Sequence, residues 1–330
     1  MDQQSRTPGP LEFAFLLLLG VLWGIPYALT KISLETIPPV TLTAARVSIA
    51  AAALWIMTAL MRRKFSLRPE RLVRLFIQGC LTCVVPYTFI ALGQQSVDSA
   101  LAAILNSTTP LFVYLISVTW THHEAMNFQR LSGALVGLMG VVLIAGASAL
   151  SGLGRESVGQ AAIVIATLSS AIGVVHGRRF ADMSPEAVAA GMLTCAAVVL
   201  VPFCLVVEQP WHTVPSLRSL AALVANAAGA TAFGFVLYFR LIRTIGSMST
   251  ASTGYLKPAI SVLIGCTLLG EPFTWVLGVG LFAVVSGVAA INDKMPIALQ
   301  NVFAYRGKRP RWISLARSVP IAGAAKVEPS

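Results

Sequence analysis

The chain has 330 residues, 56% of them hydrophobic and only 11% charged, with a mean hydropathy of +0.78. A soluble domain carries about 25% charged residues, so this composition excludes a chain that covers itself with a water-facing surface. The formal net charge of +11 does not point to nucleic acid, because the cations sit in short loops and a tail rather than on a basic face with interleaved aromatics.

Residues 1–11 are polar and lack the basic n-region and small-residue cleavage site of a signal peptide, so the first apolar run is expected to be retained. Apolar runs near 12–30, 39–61, 72–92, 99–120, 128–147, 159–177, 187–207, 217–239, 247–269 and 273–291 predict ten membrane-crossing helices. The runs do not alternate in hydropathy, which excludes a transmembrane barrel. Cys80, Cys83, Cys195, Cys204 and Cys266 all fall within the expected spans. The Cys80-x-x-Cys83 pair has metal-like spacing but no second ligand pair, so it is expected to pack a helix face. His122-His123-Glu124 lies in a loop without further ligands, and neither a metal nor any other cofactor is expected.

Lysine and arginine placement sets the orientation. With the N-terminus in the cytoplasm, nineteen of the 24 cationic residues fall on the cytoplasmic side, including Arg62 to Arg74 and the tail. Only Lys31, Arg155 and Arg218 fall outside, and Arg46 and Lys257 lie within spans. Both termini are therefore expected in the cytoplasm of a multi-pass protein of the inner (plasma) membrane. The segment Arg306-Gly-Lys-Arg-Pro-Arg311 is expected to contact anionic lipid.

The chain also repeats. A shift of 148 pairs Ser99 with Ser247, Ala103 with Ala251 and Pro110 with Pro258. A shift of 147 pairs Glu124 with Glu271, Gly133 with Gly280 and Gly140 with Gly287. Two repeats of five spans have an odd count, so the second enters the membrane upside down. The expected fold is thus an all-α polytopic membrane protein of ten transmembrane helices in two inverted five-helix repeats, 12–147 and 159–291. These are joined by a linker at 148–158 and flanked by cytoplasmic segments at 1–11 and 292–330.

The ordered set Trp23-Gly24, Lys31, Arg46, Pro110, Glu124, Tyr255-Leu256-Lys257-Pro258 and Gly270-Glu271 resembles the EamA family of the drug/metabolite transporter superfamily. The resemblance covers residues 12–291. It implies the same ten spans and inverted repeats, and transport of small metabolites, often amino acids or their analogues, commonly as export. The second repeat departs from the pattern with Ser170 opposite Trp23 and Leu193 opposite Arg46.

Charge inside a span is the strongest pointer to a site, since a lysine or arginine there costs about 2.5–3.5 kcal/mol on insertion scales. Lys257, about 15 Å into the expected ninth span, is expected to face a substrate carboxylate or phosphate. Arg46 supplies a second cation, for an anion or for a helix contact. Trp23 and Tyr27, one turn apart, suit an aromatic wall. Asn106 and Ser107 give the fourth span a polar band at the depth of Tyr255, its partner in the repeat; Ser and Thr hydroxyls equally bond their own helix backbone. Pro26, Pro110 and Pro258 are candidate hinges. Asn226, Ser169 and Ser170 are weaker candidates for the same cavity, and His176 for a proton shuttle or an interfacial structural role. No carboxylate falls deep within a span.

The expectation is a secondary transporter of a small-molecule substrate, embedded in the lipid bilayer and working by alternating access. Amino acids or related carboxylates moved outward come first, with a drug or nucleoside efflux carrier of the same fold behind them. A membrane enzyme acting on lipid-linked or acyl substrates is the rival from another class, and no Ser/His/Asp set or paired carboxylates supports it. A nucleic-acid partner is not expected, and a homodimer is left open.

Overall fold

Helices begin where proline can start them. Three open on a proline, whose missing N–H costs nothing in the first turn: α2 (Pro26–Ser33), α3 (Pro39–Leu60) and α9 (Pro185–Val207), while α1 (Pro10–Gly24) and α4 (Pro69–Gly79) are described from a proline onward. The remainder are α5 (Val85–Gly93), α6 (Ser99–Asn106), α7 (Thr109–Thr119), α8 (Arg155–Gly177), α10 (Leu217–Val224), α11 (Leu256–Leu268) and α12 (Trp275–Ile291). The computed structural model describes residues 10–60, 69–119, 155–180, 183–238 and 256–291, with 131–133, 135–137, 139–140, 240–241, 244 and 253 besides. All belong to the unit Met1–Lys294; the unit Met295–Ser330, and with it the basic tail, lies outside the described residues. No strand occurs among the described residues.

Seven described stretches are long and apolar enough to cross a bilayer, and two shorter apolar helices, Lys257–Leu268 and Trp275–Gly287, accompany them. Their outward faces carry Ile56, Val198, Phe203, Val206 and Phe282, all exposed, as a lipid-facing surface requires. The chain is an all-α polytopic membrane protein. Most of the expected fifth span and the first part of the ninth lie outside the described residues; residues 131–133, 135–137 and 139–140 of the fifth are helical.

One described span is interrupted where a proline hinge is expected. The fourth is broken at Ser107 and Thr108, between α6 and α7. Pro110 cannot bond back to the Asn106 carbonyl and its ring crowds that oxygen. Thr109 Oγ1 takes over the freed Asn106 carbonyl, and Ser107 Oγ and Thr108 Oγ1 add bonds to the Ala103 and Leu105 carbonyls, each at 2.7 Å. In the ninth, the described helix α11 carries Lys257 and Pro258 near the first of its described residues, and residues 254 and 255 lie outside the described residues. Pro110 stands in the first turn of α7.

The inversion is visible in the packing. Helices α3 and α9 are equivalent under the 147 shift and pack along their length through Val40, Val47, Leu54, Ala189, Leu193 and Cys204. They run antiparallel. Trp55 Nε1 donates to Thr194 Oγ1 at 2.9 Å, whereas the amides of Val40 and Thr41 at the other end of α3 donate to the Glu208 carboxylate at 3.0 and 2.6 Å. Other contacts are exchanged between repeats. Leu16 and Leu19 of α1 pack on Leu237 and Leu241 of the second repeat, and Ile163 of α8 packs with Ile90 of the first. The shift of 147 that maps Leu16 to Ile163 also maps Ile90 to Leu237, which is the reciprocity of a two-fold relation.

The third span of each repeat carries a π-helical segment, Cys80–Val84 in one and Ala225–Phe233 in the other. The 147 shift carries the first into the second. Such segments free carbonyls and are frequent at functional sites.

Candidate substrate site between the repeats

Three groups of polar and aromatic side chains meet along the bent first span, and in each a residue of one repeat meets a residue of the other. In the first, the Lys257 ammonium lies over the Trp23 indole, with Nζ 4.4 Å from the ring centroid. A desolvated cation over tryptophan gains about 2 kcal/mol, which offsets much of the insertion cost of the lysine. Trp23 is itself held by Tyr238 at 4.9 Å and edge-on by Phe235 at 6.2 Å, centroid to centroid. Glycines make room: a Cβ on Gly234 would meet Trp23 Nε1 at 2.8 Å, and one on Gly24 would meet Ile260 Cγ2 at 2.7 Å.

The second group centres on Asn106 at the end of α6. Tyr27 Oη donates to Asn106 Oδ1 at 2.8 Å, and Asn106 Nδ2 reaches Thr167 Oγ1 of α8 at 3.4 Å. Tyr27 is fixed from behind, because Gln94 Nε2 donates to its carbonyl at 2.9 Å. That leaves Asn106 half-buried, with a carboxamide oriented by the phenol.

The third group holds Arg46. Its Nε donates to Thr231 Oγ1 at 2.9 Å, and its guanidinium carbon lies 4.0 Å from the centroid of the Tyr87 ring. Thr231 belongs to the π-helical segment and donates to the Asn226 carbonyl at 3.0 Å. Asn226 is fully buried and donates to Thr30 Oγ1 at 3.1 Å and to the Pro26 carbonyl at 3.4 Å. Among the described residues no carboxylate pairs with Arg46 or Lys257; the two ion pairs are Lys31 with Asp98 at 3.9 Å and Arg218 with Glu35 at 3.4 Å.

Other candidates fall elsewhere. The Ser107 hydroxyl is buried and committed to its own helix. Pro26 opens α2 after the bend at Ile25, and its carbonyl is taken by Asn226. Ser169 Oγ donates to the Leu81 carbonyl at 3.0 Å, in the π-helical turn of the first repeat, and Ser170 lies half-buried beside it. His176 Nδ1 is 2.8 Å from Gln78 Oε1. Since Gln78 Nε2 already donates to the Gly173 carbonyl, the histidine donates here, and Phe180 packs edge-on against its ring. Cys80 and Cys83 are free thiols in the π-helical turn. Tyr255, His122, His123 and Glu124 lie outside the described residues.

Tyr87, Thr167 and Thr231 were not singled out by sequence reasoning. One signal points to Tyr87: the 147 shift sets it against Gly234, a departure between repeats of the same kind as Trp23 against Ser170 and Arg46 against Leu193. The three departures mark side chains that one repeat carries into the site and the other does not. Thr167 and Thr231 give no comparable signal, being single hydroxyls in apolar helices.

An inverted pair of helical repeats, with an interrupted span and cations within spans that each contact a residue of the other repeat, defines a polytopic membrane transporter. The chain belongs to the EamA-like transporter family, whose model matches residues 11–146 and 157–293. The uncharacterized inner membrane transporter YedA of Escherichia coli K12 is 29% identical over 283 residues, 83% of this chain and 89% of YedA. The uncharacterized transporter YoaV of Bacillus subtilis 168 is 25% identical over 269 residues, 81% of this chain and 92% of YoaV. A solved crystal structure shares the fold at a TM-score of 0.64 and 21% identity, over 86% of this chain and 96% of that one.

Proposed function

We propose that the protein moves small carboxylate-bearing metabolites, amino acids or close relatives of them, outward across the inner membrane by alternating access. The observation that carries this is that each polar group of the candidate site is divided between the repeats: Trp23 with Lys257, Asn106 with Thr167, and Arg46 with Thr231. Rocking one repeat against the other would open and close these pairs together, which is how a site at a repeat interface is exposed to one side and then the other. Two cations without a carboxylate partner among the described residues favour an anionic group on the substrate. The aromatic wall of Trp23, Phe235 and Tyr238 and the amide of Asn106 suit the rest of an amino acid.

Hinge roles for Pro26, Pro110 and Pro258 fit the same motion, and Pro26 and Pro110 lie where one helix gives way to the next within a span. Both termini are taken to face the cytoplasm, from the bias of the positive charges. The test is counterflow in proteoliposomes loaded with one member of a panel of amino acids, nucleosides and cationic drugs. Saturable exchange of a carboxylate compound supports the proposal. Exchange of nucleosides or cationic drugs alone discards the carboxylate and keeps the transporter, and product formed in detergent without vesicles favours an enzyme.

A further inference from the structure

Arg46 and Lys257 hold their charges differently, and the difference assigns them different tasks. Guanidinium carries five N–H donors in a fixed planar fork, whereas an ammonium is a point charge without a preferred plane. Nε of Arg46 is already used, donating to Thr231 Oγ1 at 2.9 Å. Thr231 spends its own proton on the Asn226 carbonyl at 3.0 Å, so its oxygen has only lone pairs to offer Arg46. That bond spans five residues, the spacing of the π-helical turn of Ala225–Phe233 in which both lie. One guanidinium face is covered by Tyr87. What remains is the end of the fork, Nη1 and Nη2, which has no hydrogen-bond partner among the described residues, on a side chain that is half-buried rather than sealed.

We infer that the end of the Arg46 fork grips the substrate carboxylate through two parallel N–H···O bonds. Tyr87 and Thr231 are positioning residues that hold the fork's plane. Lys257, docked on Trp23, supplies charge without direction. The assignment rests on the carboxylate-bearing substrate proposed above and adds the residue that recognises it. The second repeat holds no duplicate: the 147 shift puts Leu193 where Arg46 stands and Gly234 where Tyr87 stands. One carboxylate is therefore bound per cycle, on one side of the two-fold relation.

The test compares an amino acid with its primary amide, which keeps the shape and loses the negative charge. L-phenylalanine with L-phenylalaninamide and L-threonine with L-threoninamide serve as probes in counterflow with the full chain in proteoliposomes. Wild type should prefer the acid by about tenfold or more in at least one pair, the value of a lost charge-assisted contact. Arg46→Lys should bring the ratio close to one, because a lysine has no fork. Thr231→Val and Tyr87→Leu keep the arginine but loosen it; they should reduce the ratio, and Thr231→Ser and Tyr87→Phe should restore it. A general packing role would lower uptake of acid and amide together and leave the ratio unchanged. If Arg46→Lys, Thr231→Val and Tyr87→Leu keep the wild-type ratio while Lys257→Met loses it, Lys257 is the carboxylate contact. The inference then fails and the substrate proposal stands. If wild type takes acid and amide equally, or exchanges no amino acid of the panel, the substrate proposal fails and the inference with it; where another amino acid of the panel exchanges, that acid and its amide are the pair compared.

Discussion

Lys257 and Trp23 come from opposite ends of the chain and are useful to each other only in the folded protein. The indole face gives the ammonium an electrostatic partner where no carboxylate pairs with it among the described residues, and Phe235 and Tyr238 keep that face in place. Removing the lysine should therefore split stability from function. We expect Lys257→Met to hold or raise the melting temperature in detergent, since an apolar chain replaces a desolvated charge, while carboxylate counterflow falls about tenfold or more. Trp23→Leu should lower both, by about 1–2 kcal/mol in stability, because the lysine stays and its partner goes. A fall in melting temperature for Lys257→Met as large as that for Trp23→Leu would contradict this. Charge in an apolar run made Lys257 and Arg46 legible from sequence alone. Their partners were not, because Tyr87 and Thr231 are ordinary residues for a membrane helix until Arg46 is packed against them.

At the scale of elements, the motif Gly270-Glu271 has a plain physical account. Gly270 ends the turn after α11 with a φ of +67°, in the left-handed region that favours glycine. The Glu271 amide then reaches back to the Gly265 carbonyl at 3.0 Å. This aims the Glu271 carboxylate at the first amides of α6, Ser99 and Ala100, at 2.8 and 3.0 Å. Glu208 likewise accepts from the first amides of α3, with the left-handed residue, Gln209 at a φ of 47°, following the carboxylate rather than preceding it. Each is a helix cap supplied by the other repeat. Gly270→Ala should cost about 1–2 kcal/mol for the left-handed turn, and Glu271→Ala about 1–3 kcal/mol for two charged bonds to backbone amides. Both can be read from thermal unfolding in detergent. Since the two residues serve one cap, the double variant should cost less than the sum of the singles. The glycine and the carboxylate were conspicuous in the sequence; what they cap was not, because the capped helix begins just over half the chain length away. Breaks near Pro26 and Pro110 were legible from proline chemistry. The π-helical turns were not, since the sequence there is as apolar as its surroundings and i to i+5 bonding leaves no pattern in hydropathy.

For the whole molecule, composition excluded a soluble domain and the 147–148 shift exposed the repeat. Inversion followed from an odd number of spans per repeat, and antiparallel α3 and α9 bear it out. Interleaving of the repeats was out of reach of the sequence, because apolar helices of similar composition carry no label for the neighbour they choose. Small residues set those neighbours. A Cβ on Gly93 would meet the Gly159 carbonyl at 2.6 Å, so Gly93→Val should weaken the packing of α5 on α8 by about 1–3 kcal/mol, seen as a lower melting temperature. The charge bias makes a separate claim: a reporter active only in the cytoplasm should be active when fused at either terminus, and a periplasm-active reporter there would reverse the orientation.

The central claim is that a site shared by the repeats is exposed to one side of the membrane and then to the other. The most direct measurement is labelling of Asn106→Cys, in a chain whose five native cysteines are replaced and which still exchanges substrate. A membrane-impermeant thiol reagent is applied from each face in turn. We predict labelling from both faces, slowed from both by a transported amino acid. Labelling from one face only, whatever the substrate, or labelling that the substrate does not slow, would contradict the account.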